Sequence, residues 1–223
     1  MVEVCERMQL FHYHFWTDKV ESMEQFYRSH GFRIALRMGK EDGEMYRYNP
    51  PLEWDDFRHR PIQFRIIEVI RGQVNVTFGA GTRDRFDHLG LLVDGKELDH
   101  ILIRAQQTGM RVNKSEARTF VQTPWGIRIE LQQRRDVVDD EREGVIKEAV
   151  LRLPFSTDPR MLEEWFEAEV LEETKGGITI HRDGWCLRIT EGDKPRLDTV
   201  YLKSVDPFEA VDPLGVRLIG MGR

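Results

Sequence analysis

Two stretches of the chain follow one plan, and this repeat constrains the fold more than any single motif. The first is HYHFWTDKVESMEQFYRSHG, His12 to Gly31. The second is HLGLLVDGKELDHILIRAQQTG, His88 to Gly109. In each, a histidine stands in a strand-like run and an aspartate, Asp18 or Asp94, follows six residues later. A weaker third copy, RLPFSTDPRMLEEWF, starts at Arg152 and puts Asp158 at the same offset.

The local chemistry of the copies agrees. In LFHYHFWT, alternation puts Phe11, Tyr13 and Phe15 on one strand face and His12, His14 and Trp16 on the other. Asp18 and Asp94 are good helix N-caps, with Glu21 and Glu97 at N3 as in a capping box. Val20, Met23, Phe26 and Tyr27 then form one apolar helical stripe, and Leu98, Ile101, Leu102 and Ala105 another. Gly31 suits the position just past a helix end. FRIALRMG, QFRIIEVI and QVNVTFG supply three strands after the first helix; MRVN, RTFVQT and GIRIELQQ supply three after the second. The unit is strand, helix, three strands. The polar segment KEDGEMYRYNPPLEWDDFRHRP is long for a hairpin and reads as a loop over a site. Trp54 within it either covers that site or simply packs, the commoner fate of a loop tryptophan.

QRRDVVDDEREGVIK is a charge-rich break. Beyond it Asp158 is the expected cap of a third helix, with Pro159 at its first position and Met161, Leu162, Trp165 and Phe166 inside. ITIHRD and WCLRITEG read as a hairpin, TVYLKSVDP as another first strand, and PLGVRLIG as a counterpart of PWGIRIEL with the intervening helix missing. The expected organisation is residues 1–134 as paired modules (about 9–80 and 85–132), a charged linker at 135–147, and 148–223 as a degenerate pair (about 149–192 and a truncated copy at 198–223).

Net charge is −6, which offers nothing to a nucleic acid. No apolar run approaches the roughly 20 residues that span a bilayer, and the charged start MVEVCERM has no leader-like apolar core. Cys5 and Cys186 lie far apart, so no disulfide framework is expected and a reducing cytoplasm fits best. Cys186, beside an apolar strand, reads as core.

The doubled module, its first-strand histidine, the segment FYRSHGF and the P-x-G-x-x-x-E ending of TPWGIRIEL together resemble the vicinal oxygen chelate superfamily. That group includes glyoxalase I, bleomycin-resistance proteins, fosfomycin-type thiol transferases and extradiol ring-cleaving dioxygenases. The resemblance covers residues 9–132 closely and 149–223 in outline. It implies an α+β fold in which tandem βαβββ modules pair into an open curved sheet around a metal cup. Two such domains are expected, the second degenerate. It further implies ligands on the first and last strands of each module. Self-alignment places His12, His88, Arg152 and Val200 at the first-strand positions and Thr77, Glu130, Thr190 and Ile219 at the last. The first pair of modules thus offers His12, His88 and Glu130, with Thr77 in the fourth place; the second pair offers no metal set.

Two imidazoles and one carboxylate on one side of an ion are the facial arrangement of non-heme iron sites. Iron or manganese is the expected metal, with zinc and nickel also compatible. The resemblance implies a small substrate whose adjacent oxygens chelate the ion, which acts as a Lewis acid. An extradiol-type dioxygenase is the leading expectation. A glyoxalase- or thiol-transferase-like enzyme and a non-catalytic binding or resistance protein are the alternatives, and Thr77 argues against the four-ligand glyoxalase pattern. His14 shares the strand face of His12, and a two-residue slip of register would exchange them. In the preferred register His14 is a proton donor or acceptor beside substrate. Arg128 shares the face of Glu130, with Asn75 as its counterpart. Either holds an anionic substrate group, unless Arg128 merely faces solvent. In the second half Arg152, Arg188 and Arg217 share the cup-lining face. They suggest an anion site or, more simply, a scaffold whose open face serves a homodimer.

Overall fold

The computed structural model describes residues 8–115, 118–140 and 144–222; Cys5 lies outside the described residues. The first module comprises β1 (Gln9–Thr17), α1 (Val20–Ser29), β2 (Arg33–Glu41), β3 (Glu44–Arg47), β4 (Gln63–Arg71) and β5 (Val74–Ala80). The second comprises β6 (Arg85–Leu92), α2 (Gly95–Gln107), β7 (Arg111–Lys114), β8 (Thr119–Gln122) and β9 (Arg128–Gln132). Together they form one nine-stranded sheet in the order β3-β2-β4-β5-β1-β6-β9-β8-β7. The third module comprises β10 (Val145–Leu153), α3 (Met161–Phe166), β11 (Glu169–Thr174), β12 (Gly177–Arg182) and β13 (Trp185–Glu191). The fourth has only β14 (Arg196–Lys203), β15 (Phe208–Val211) and β16 (Arg217–Met221). These give a seven-stranded sheet, β11-β12-β13-β10-β14-β16-β15. β10 begins at Val145, so the segment expected as linker turns to strand before its end.

Both sheets share one design. The first strands of paired modules lie side by side and antiparallel, β1 with β6 and β10 with β14. The last strands flank them in parallel, β5 and β9 in one sheet, β13 and β16 in the other. Alternation then separates two faces. Tyr13, Phe15, Ile67, Val76 and Leu89 of the first sheet and Ala149, Leu151, Leu187 and Val200 of the second are buried in one continuous core with the helices. The opposite faces form the cups. The sheets meet where β1 lies against β10 and β6 against β14. Among the polar ties that cross the seam, Trp165 Nε1 donates to the Ile101 carbonyl (2.9 Å), Trp185 Nε1 to that of Met8 (3.1 Å), and the Tyr27 hydroxyl to Asp212 (3.3 Å).

Helix starts are uneven. α2 has the expected capping box, with the Glu97 amide on Asp94 Oδ1 (2.8 Å) and the Asp94 amide on Glu97 Oε2 (3.0 Å). Asp18 caps nothing: α1 starts at Val20 with Lys19 in the N-cap place, and it is Thr17 Oγ1 that accepts the Lys19 amide (3.0 Å). Asp158 likewise holds the Arg160 amide (2.9 Å) in a turn, and α3 begins only at Met161. Cys186 is not core; β13 gives Leu187 and Ile189 to the core and turns Cys186 to the cup face.

The segment expected to cover a site does something else. It adds the edge strand β3, then folds back onto α1. Arg37 and Glu24, both fully buried, form a two-pronged pair (2.6 and 2.5 Å). Arg37 Nη1 also takes the carbonyls of Tyr48 (3.2 Å) and Leu52 (2.5 Å), and Trp54 Nε1 donates to Glu24 (3.0 Å). Trp54 therefore packs against Phe57 and Phe64 and is no lid. Removing one partner of a buried ion pair strands the other charge. Arg37→Ala should cost about 3–5 kcal/mol in a denaturant titration; a loss near zero would show that the pair does not anchor this segment.

Asp212 is buried at the seam, accepting the Leu214 (2.8 Å) and Val216 (2.9 Å) amides besides Tyr27. Burial outweighs these bonds and pushes its carboxyl up to about 6. An acid raised in the folded state adds stability below its unfolded value, and that contribution is lost as pH rises through the folded value. The stability difference between wild type and Asp212→Asn should therefore fall by up to about 3 kcal/mol between pH ~4 and ~6. A difference flat across that window would refute the assignment.

Candidate metal centre

The β1–β6 pairing carries the site. His12 faces Gly90 across the two strands and His14 faces His88. Each strand has one bulge: Phe11 is the extra residue on β1 and Asp87 the extra residue on β6. The flanking parallel strands put Asn75 beside His12, Thr77 beside His14, Arg128 beside His88 and Glu130 beside Gly90. His12 and His88 are thus equivalent, as are Thr77 and Glu130. Gly90 is required by the close approach: a Cβ there would meet His12 Cβ at 2.8 Å and Phe11 Cε1 at 2.9 Å.

Three ligand-type atoms converge. His12 Nε2 and His88 Nε2 are 3.1 Å apart, and Glu130 Oε2 stands 3.2 Å from the second and 3.9 Å from the first. All three residues are 3% exposed. Ligands about 2.1 Å from one ion, at angles between octahedral and tetrahedral, lie roughly 3.0–3.4 Å from one another. The protons are also accounted for. His12 Nδ1 meets the Asn75 carbonyl (2.9 Å) and Asn75 Oδ1 (3.1 Å), both acceptors. His88 Nδ1 meets Asp87 Oδ2 (2.8 Å). Each Nδ1 therefore carries the proton, and each Nε2 turns a lone pair toward the other and toward a carboxylate oxygen. Three electron pairs facing one point repel unless a cation lies among them.

Electrostatics keep the donors in ligand form. Burial lowers the His12 imidazole to about 4, against the opposing pull of Glu130 and with the His88 charge adding to the fall. Burial would raise Glu130, but the neighbouring His88, His12 and Arg118 outweigh it and hold the carboxyl at about 2, ionised and acceptor-only. Asp87 sits far below the usual carboxylate range: burial opposes ionisation, and the hydrogen bonds from His88 and Arg128 override it.

His14 does not join the three donors. It stacks on His88 (4.9 Å, 10°), shares a hydrogen bond with Thr77 Oγ1 (2.5 Å), and its buried Nε2 has no partner. Thr77 Oγ1 also comes within 3.4 Å of His12 Nε2. His14 lines a cavity of about 310 Å³ with Trp16, Leu36, Ile66, Phe120 and Arg128. Arg128 does not face solvent as a free strand arginine. It bonds Asp87 and lies over the Phe120 ring at 4.3 Å. Arg118 lies over the same ring at 5.4 Å and reaches Glu130 at 3.5 Å. Asn75 is held by Glu68 (2.5 Å) and the Val137 carbonyl (2.8 Å), which aim it at His12 rather than at a ligand. Sequence reasoning missed Asp87 and Arg118. The repeated R-x-D of RFDHL and RLDTV was the available signal for Asp87.

The second cup has a different centre. Its strand register equates Glu148 with His12, Thr199 with His88, Arg188 with Thr77 and Ile219 with Glu130. Arg152 therefore lies four residues past the equivalent place, Thr190 two, and Val200 one, on the core face. Where the first cup gathers donors, the second has the ion pair Arg188–Glu148 (2.9 Å). Arg152 pairs with Asp198 (3.1 Å) and Arg217 with Glu209 (2.8 Å), so the three arginines do not converge on an open anion site.

Elemental analysis of protein prepared without chelators should find one divalent ion per chain, abolished in Glu130→Ala. Asp87→Asn should weaken metal affinity about 10–100-fold by loosening the His88 tautomer. Unchanged affinity in both variants would show that this cluster is not a metal site.

A scan against protein-family models found no match, and neither did a search of curated proteins. Solved structures do match. A hypothetical protein from Staphylococcus aureus aligns with 97% of this chain and 100% of its own at a TM-score of 0.62 and 9% identity. Homoprotocatechuate 2,3-dioxygenase from Arthrobacter globiformis aligns with 96% of this chain and 79% of its own (TM-score 0.64, 14% identity). An extradiol ring-cleaving dioxygenase from B. fuscum aligns with 99% and 74% (TM-score 0.64, 13% identity). Two sheets, each built from paired modules around a cup, make up the fold of the vicinal oxygen chelate superfamily, and this chain has that fold.

Proposed function

We propose that the protein is a metal-dependent dioxygenase of the extradiol type, acting on a small substrate with two adjacent oxygens. The observation that carries this reading is the convergence of His12 Nε2, His88 Nε2 and Glu130 Oε2 with both Nδ1 protons committed elsewhere. The donor set suits divalent iron or manganese, which when bound would supply Lewis acidity to chelating substrate oxygens and access for dioxygen at open positions. The likeness to ring-cleaving dioxygenases in fold supports the same chemistry.

The chain's own residues supply the rest. His14 Nε2, buried and without a partner, is placed to take a proton from a substrate hydroxyl and return it later. Burial, then the neighbouring His88 and His12, hold this imidazole well below its usual value, so it starts neutral and able to accept. Phe120 stands edge-on to His88 (5.1 Å) and offers a ring wall to an aromatic substrate. Arg128 is neutralised by Asp87 and orients it. Arg118, partly exposed and held only at 3.5 Å by Glu130, is the group free to meet an acidic substituent. The cavity, about 310 Å³, is at the small end of ligand sites.

Oxygen uptake by protein loaded anaerobically with iron(II) or manganese(II), measured over a panel of catechols with and without carboxylate groups, tests the reading. One O2 should be consumed per catechol, with a ring-opened product. His14→Ala should lower kcat about 10²–10⁴-fold while leaving metal content unchanged. No uptake by metal-loaded protein on any catechol would overturn ring cleavage.

A further inference from the structure

A second cavity, about 570 Å³, lies at the seam between the two sheets, away from the cup. Four short segments wall it. Arg83–Phe86 and Trp125–Ile127 come from the second module; Lys194–Leu197, Leu214 and Val216 come from the fourth. These are equivalents under the repeat, RDRF to KPRL and PWGI to PLGV. In each module the first segment leads into the first strand, β6 or β14, and the second into the last strand, β9 or β16. The groove is therefore pseudo-symmetric in these four segments.

What is doubled is positive charge. Arg83 and Lys194 are equivalent, as are Arg85 and Arg196, in a chain whose net charge is −6. The single carboxylate of the wall, Asp84, is already held by Lys19 (2.8 Å) and Thr17 (2.6 Å). Arg85 is shared with Asp87 (3.1 Å), and Arg196 with the Gly215 carbonyl (3.1 Å) and Asp198 (3.8 Å). Arg83 and Lys194 are exposed and have no carboxylate partner among the described residues. Beneath these cations the wall is apolar, with Phe15, Phe86, Trp125 and Leu214.

We propose that this groove binds an amphipathic organic anion. Its ring or alkyl body lies on the aromatic wall, and its carboxylate, sulfonate or phosphate ester pairs with Arg83 and Lys194. A wholly inorganic anion would use the cations and leave the apolar wall uncovered; a neutral ligand would do the reverse. The site is separate from the cup, which uses the opposite face of the same strands: Phe15 follows His14, Phe86 precedes Asp87 and Ile127 precedes Arg128. It stands whether or not the cup cleaves rings.

Calorimetric titration of the full chain with anilinonaphthalene sulfonate tests the proposal. Phenylnaphthylamine, with the same rings and no sulfonate, and inorganic phosphate serve as the two partial probes. The sulfonate should bind once per chain, more weakly as salt rises, with each partial probe at least about tenfold weaker. Arg83→Glu and Lys194→Glu should each cost about tenfold or more. Both residues are exposed, and an unchanged melting temperature checks that the variants fold. Arg118→Glu, in the cup, should leave the sulfonate's affinity unchanged. Three results would overturn the proposal: equal binding of sulfonate and neutral probe, equal binding by the double variant and wild type, or sulfonate affinity that follows Arg118.

Discussion

The antiparallel pairing of β1 with β6 is the contact on which the site depends. Regular alternation alone would bring two histidines to one face of the sheet, but it would not aim them at each other. Two one-residue bulges do that. Each bulge adds a residue to one strand, deepens the local twist and swings the neighbouring side chain. On β6 the extra residue is Asp87. In an unbroken strand it would alternate with His88 and face the core, where a carboxylate has no partner. Displaced by the bulge, it meets His88 Nδ1, Trp16 Nε1 (3.2 Å) and Arg128 on the cup side. The same irregularity thus removes a buried charge from the core and fixes the tautomer of a donor.

Much of this was legible in the residues. The six-residue offset from His12 to Asp18 and from His88 to Asp94 set the modules in register, and that register made His12, His88, Thr77 and Glu130 equivalents. Periodicity separated Tyr13 and Phe15 from His12 and His14 because the strand period is two and the core accepts only one set. The misreadings have physical causes. Asp18 looks like a cap, yet β1 runs on to Thr17, whose hydroxyl reaches the Lys19 amide first. The segment from Lys40 to Pro61 is polar in composition, yet one buried arginine, Arg37, turns it inward onto α1. A bulge changes no composition and no average period, so Asp87 could not be found by pattern. The third copy slipped because β10 ends at Leu153 and α3 starts only at Met161, a longer connection than that from Thr17 to Val20, so counting back six residues from Asp158 overshoots the place of His12.

The two cups answer one electrostatic problem in different ways. Both place polar side chains at the centre of a sheet face, where neighbours must satisfy them. In the second cup acid and base stand together, and Glu148 with Arg188 close the centre within the chain. In the first cup the three converging groups are all acceptors, with Arg118 reaching Glu130 at 3.5 Å. The free energy of filling such a centre adds to folding. On the function proposed above, the two halves of one duplicated fold would therefore differ in what holds them: internal charge balance in one, coupling to a bound cation in the other.

Gly90 and His14 occupy equivalent places in the two modules, and only one of them carries a side chain. The bare position is what lets His12 cross the strand pair, so a second copy of His14 has no room on that side. A cup assembled from two matching halves is by this means left with one imidazole beside the three converging donors, on one flank. On the function proposed above, a flat substrate with two like oxygens would meet a centre that distinguishes them, with one oxygen toward an imidazole and the other toward bare backbone. The direction in which a near-symmetric molecule is turned over would then be decided by the absence of a single β-carbon.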